Sequence, residues 1–203
     1  MRQILALAAV LLAAVPALRA ETYEIDLAHS NIGFRIKHLV GRVPGRFTKF
    51  SGTVSYEPGK PASWKVDATI DPASINTDNE KRDGHLRAPD FFDVEKCKDM
   101  SFKSTKVTDV KGDTAKLHGE LTLHCVTKPV ILDLEIGGIT KTAWGTVEAG
   151  FSAHGKINRK DWGIVFNKTL DNGGLMLGED VEVSIDVEAG LSDGKKGGKK
   201  GKK

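Results

Sequence analysis

Along most of this chain apolar residues recur at every second position, and a period of two is the mark of β-strands with one buried face. Within residues 30–38, Ser30, Ile32, Phe34, Ile36 and His38 share one face, opposite Asn31, Gly33, Arg35 and Lys37. Further strands are expected over residues 47–57, where Gly52 permits a bend, and over 63–71, 100–110, 115–126, 130–136, 144–157 and 181–187. The alternation is interrupted once, over residues 74–94. There Thr77 and Glu80 have the spacing of a capping box, and Pro89 ends the helix because the residue before a proline is pushed out of the helical region. Phe91 and Phe92 follow and are expected to turn inward. About eight antiparallel strands, each with one apolar face, predict an all-β fold: a closed up-and-down barrel with one helical insertion near its opening. A two-sheet sandwich satisfies the same alternation.

The two ends of the chain read differently. Arg2, an apolar run from Ile4 to Val15 and small residues up to Ala20 make residues 1–20 a secretory signal peptide, too short to span a bilayer. The protein is therefore expected in the periplasm or outside the cell. The formal net charge of +3 comes from the ends. Setting aside +2 from the leader and +5 from residues 191–203 leaves −4 for the domain expected over residues 21–190. The Gly/Lys tail over 191–203 buries nothing and is expected to be disordered. It is a candidate contact for an anionic membrane surface; a solvated tail without a partner is the alternative. No basic stripe interleaved with aromatics points to nucleic acid.

Export also bears on the two cysteines, Cys97 and Cys125. They flank a predicted hairpin turning at Lys111-Gly112-Asp113, which brings them together and predicts a disulfide. Two buried thiols are the other reading.

Several motifs occur in order: His29-Ser30-Asn31-Ile32-Gly33-Phe34, Thr69-Ile70-Asp71 with Ser74-Ile75-Asn76-Thr77, and Arg82-Asp83-Gly84-His85-Leu86-Arg87 with Asp90-Phe91-Phe92-Asp93. Gly119-Glu120-Leu121-Thr122-Leu123-His124 with Thr127-Lys128-Pro129-Val130, and Ile157-Asn158-Arg159 with Asp161-Trp162-Gly163, complete the set. Over residues 22–188 the chain resembles the YceI-like, polyisoprenoid-binding family of exported bacterial proteins. The resemblance implies a lipocalin-like eight-stranded barrel and a long internal pocket for a polyprenyl chain or another long-chain fatty amphiphile. It implies no shared catalytic activity and no cofactor beyond a bound lipid. The two cysteines and the tail depart from the usual pattern of that family.

Ile32, Phe34, Ile36, Ala68, Phe102, Leu121, Leu132, Ala149, Phe151 and Ala153 are the candidate lining of an apolar tunnel. The small residues among them leave the room that a chain-shaped ligand needs. His38 continues the inward face of its strand, and Arg82 and His85 lie three residues apart on the predicted helix, able to share a face. These three are the candidate head-group contacts, an arginine fork suiting phosphate; structural salt bridges are the plainer reading of Arg82. No histidine cluster has metal-ligand spacing, and no nucleophile elbow or triad is legible. The function expected is a carrier of a long-chain lipid, with a dry structural or adhesive envelope module as the alternative. The oligomeric state is open, a dimer included.

Overall fold

A computed structural model describes residues 20–171 and 173–192. The expected leader, apart from its last residue, and the tail beyond residue 192 lie outside these. In chain order the strands are β1 (Glu21–Ile25), β2 (Asn31–His38), β3 (Gly41–Phe47), β4 (Phe50–Tyr56), β5 (Lys65–Ile70) and β6 (Ile75–Asn76). Helix α1 (Glu80–Arg87) follows, then β7 (Met100–Lys111), β8 (Thr114–Leu123), β9 (Val126–Lys141), β10 (Val147–Asn158) and β11 (Leu177–Leu191).

All pairings are antiparallel. The order β1-β4-β5-β7-β8-β9-β10-β11 closes on itself through β1 and β11, giving an eight-stranded barrel rather than a sandwich. Long β11 serves two partners: Ala189–Leu191 pair with β1, whereas its earlier residues pair with β2, from Asp186 opposite Asn31 to Leu177 opposite His38. From β2 the sheet continues to β3 and β6 as a branch.

The branch exists because three wall strands break at one level. Residues 26–30 separate β1 from β2, and Ser30 bridges the gap by exchanging hydrogen bonds with the backbone of Glu188. The single strand expected over residues 47–57 is two, β3 and β4. They are parted at Thr48-Lys49, whose amides both donate to the buried Ser74 hydroxyl. Asp71 accepts from the Ala73 amide where β5 yields to β6. Below the breaks the ring is complete. Above them β6 does not pair with β7, and α1 stands in the gap.

Helix α1 is capped by Asn79, whose side chain accepts from the Arg82 amide at 3.0 Å. The expected capping box is not formed, because Thr77 is already committed. Its hydroxyl donates to Asp83 and accepts from Arg82 Nε, and Asp78 turns the chain at φ 57° before the helix begins. Ala88 ends the helix ahead of Pro89, as the proline requires, and Phe91 is buried beyond it. Arg87 ties the helix to the branch by donating to the Ala73 and Ile75 carbonyls. Cys97 and Cys125 are disulfide-bonded, with Cα atoms 5.3 Å apart. The bridge joins the segment before β7 to the β8–β9 turn. Strand β11 runs through Leu191, opposite Tyr23, so the barrel extends past residue 190, where the tail was expected to begin.

Candidate ligand cavity

The inward faces do not meet at the barrel axis. They enclose a cavity of about 650 Å³, within the range of sites that bury small molecules. Two pairs of residues show how the wall stays open. A Cβ on Gly119 would lie 2.3 Å from the Phe102 ring, and one on Gly45 would lie 2.3 Å from the Phe34 ring. Glycine at these positions lets each ring lie against a neighbouring strand instead of standing in the lumen.

The end formed by the complete ring is shut. The Tyr56 ring lies tilted against Trp64 at 4.9 Å and meets Phe151 edge-on at 5.2 Å, while Trp64 Nε1 donates to the Glu57 carbonyl. Tyr23, Ala149 and Ala189 are wholly buried in the same cluster. Burial pushes the Tyr23 phenol up to about 12, with the hydrogen bond to Glu21 adding to it; burial raises Tyr56 as well. These groups therefore stay neutral, as a dry floor requires.

The branched end is the mouth. Apart from Ala149, every residue expected in the tunnel lines the cavity: Ile32, Phe34, Ile36, Ala68, Phe102, Leu121, Leu132, Phe151 and Ala153. Ala149 does not. Its parity is inward as expected, but it faces Ala189 across the sheet within the packed floor. His38, Arg82 and His85 line the cavity too, joined by Thr77, Asn79, Lys81 and Lys168. Arg82 is fastened through Thr77, to whose hydroxyl and carbonyl it donates at 2.7 Å each. The buried carboxylate of Asp83 accepts from the Thr77 amide and hydroxyl, so Arg82 and Asp83 are linked through Thr77 rather than by a direct ion pair. His85 lies 3.2 Å from the Asp90 carboxylate, and its ring meets Phe91 and Phe166 edge-on at 5.0 Å each.

Arg159 also lines the cavity. It is buried, and donates to the carbonyls of Gly178 at 2.9 Å and Ile164 at 2.6 Å; Nη2 has no partner among the described residues. Burial lowers its pKa, while Glu179 works the other way. Neighbouring Asp161, noted from the sequence, is not its partner; the tether is to backbone.

Nothing in the pattern of residues 164–177 marks them as part of the site. They contribute Ile164, Phe166, Lys168, Met176 and Leu177 to the cavity. The segment has apolar residues but no period, and only its contacts across the mouth reveal the role. Among the described residues no group of three or more histidine, cysteine or acidic side chains could hold a metal ion.

Fold and cavity together define the class: a closed antiparallel β-barrel, shut at one end, around an apolar cavity with a polar mouth. The chain belongs to the YceI-like domain family, whose pattern it matches over residues 23–189. It is 42% identical over 181 residues to a UPF0312 protein of Photorhabdus laumondii, covering 88% of this chain and 91% of that protein. The crystal structure of a Campylobacter jejuni YCEI protein is 37% identical and superposes with a TM-score of 0.67, over 83% of this chain and 96% of that one. A polyisoprenoid binding domain from Saccharophagus degradans has the same fold at 15% identity, with a TM-score of 0.60 over 86% of this chain and all of that one.

Proposed function

We propose that the protein is a container and carrier for a polyisoprenoid or another long-chain amphiphilic lipid, working in the periplasm or a comparable exported compartment. The observation that carries this reading is the cavity itself, an axial apolar space closed by aromatic rings at one end and ringed by cations and hydrogen-bonding groups at the other. A hydrocarbon chain gains roughly 0.8 kcal/mol for each methylene removed from water. Affinity therefore grows with the length inserted, and the head group is left to set orientation at His38, Arg82 and His85. A polyisoprenoid binding domain with the same fold supports the chemical class. The leader-like N-terminus and the disulfide support an oxidising compartment.

Native mass spectrometry after gentle purification, followed by organic extraction, tests the reading. The expected result is a mass above that of the polypeptide, which disappears on extraction and returns when a polyprenol or long-chain fatty acid is added. A bare polypeptide mass with no uptake of either probe would leave a dry envelope module as the better description.

A further inference from the structure

The rim of the mouth is built of side chains that a water-facing barrel would not choose. Four large aliphatic residues are exposed there. Leu39 and Val40 form the β2–β3 turn, and Val165 and Leu175 belong to the segment crossing the opening. The two groups adjoin, since the Leu39 amide donates to the Met176 carbonyl and Thr169 bridges to Leu175. Val40 is fully exposed. Two-residue hairpin turns select glycine or asparagine, because they need positive φ. Here Leu39 takes φ 52°, an unfavourable conformation for a branched apolar side chain, and its reward is not burial.

Charge accompanies the apolar lip. Lys81, Arg82 and Lys168 line the opening, and none is in an ion pair among the described residues. Exposed Glu80 and Asp171 lie on the same two segments as these cations. Aliphatic tips beside unpaired cations match the boundary between acyl chains and anionic head groups. We infer that the mouth docks on an anionic phospholipid bilayer, the Leu39-Val40 turn and the Val165 and Leu175 side chains entering the interface. A lipid then passes between membrane and cavity without crossing water. This rests on the lipid-carrier reading.

The molecule supplies its own control. Trp144 is 89% exposed in the β9–β10 turn, at the floor end, whereas Trp64 and Trp162 are buried. Strand β11 also ends at the floor, with the Ser192 amide donating to the Thr22 carbonyl. The full-length chain carrying Val40→Trp is mixed with vesicles of phosphatidylglycerol and phosphatidylcholine containing brominated acyl chains. Docking by the mouth predicts bromine quenching of the added indole and none in the wild type. In the same vesicles Val40→Asp should weaken binding about ten-fold, the loss expected for one apolar side chain. Quenching in the wild type, where Trp144 is the accessible ring, would instead show docking by the floor and tail. An unquenched Val40→Trp protein overturns the inference, as does a concentration-dependent dimer abolished by Val40→Asp, which would make the lip an interface between two copies. If native mass spectrometry finds lipid while Val40→Trp stays unquenched, docking fails and the carrier reading stands. Quenching without any lipid uptake refutes the carrier reading and leaves only a membrane-binding surface.

Discussion

The two ends of the barrel solve opposite problems with the same strands. At the floor eight strands are hydrogen-bonded in an unbroken ring, and small residues, Ala149 and Ala189, let Tyr23 pack into a closed layer. At the mouth three of the walls are broken, a helix replaces a strand pairing, and the packing around Ile75, Phe91 and Trp162 is supplemented by other devices. These are the Cys97–Cys125 bridge, the Thr77 link between Arg82 and Asp83, and arginines that donate to backbone carbonyls. A pocket needs both: one end that excludes water by density, and one that can admit a chain-shaped guest while holding its shape.

The largest expected effect tests how the mouth is held. Replacing both cysteines, Cys97→Ser with Cys125→Ser, frees a loop with a sequence separation of 28. In the chain-entropy model this costs about 3–4 kcal/mol, read from urea unfolding. Hydrogen exchange should quicken around residues 88–99 and 124–126 and stay slow in the floor strands. Equal acceleration at both ends would erase the distinction drawn between them.

A pair of substitutions four residues apart sharpens it further. Ala149→Trp forces a ring into the packed floor, overpacking that costs about 1–3 kcal/mol. Ala153→Trp, two inward steps along β10, places the ring in the cavity. It should leave the melting temperature nearly unchanged and abolish lipid copurification. Similar destabilisation by both would mean that Ala153 also faces a filled core.

Strand parity made the floor and wall legible in the sequence. Ile32, Phe34, Ile36 and Leu132 could be read as inward because a period of two assigns faces wherever a strand is continuous. Parity says nothing about height along the axis, which is why Ala149 and Ala153 looked equivalent. It also fails where strands break. Residues 21–25 and 41–47 were not anticipated as strands: each is short, and Pro44 with two glycines interrupts the second. Thr77 does not cap the helix because its partner, Asp83, is itself buried through tertiary packing, and local spacing cannot report that. Helical spacing reached the mouth residues Arg82 and His85, which lie three residues apart on α1 and both line the cavity. Phe166 and Met176 escaped both.

The smallest effect concerns the junction between the two ends. His29 and Asp26 occupy the break between β1 and β2, the His29 Nδ1 atom lying 2.7 Å from an Asp26 oxygen, and the other Asp26 oxygen accepts from the Ala28 amide. The hydrogen bond to Asp26 raises the His29 pKa above the ordinary 6.5, helped by the charges of Asp26, Glu188 and Glu148. The same bond, with that from Ala28, holds Asp26 below the ordinary 3.8. A raised histidine stabilises fully below its unfolded value and loses that contribution as pH rises through the folded one. A depressed aspartate contributes above its unfolded value and loses it as pH falls through the folded one. The pair therefore helps most between about pH 4 and pH 6.5. Both side chains are well exposed, so solvent screening keeps the gain small. His29→Gln should melt slightly below the wild type at pH 5, and the gap should close above pH 8. An NMR titration placing the His29 midpoint below 6.5 would show that the junction is not held by this pair, leaving Ser30 and Glu188 to join the closed ring to the open branch.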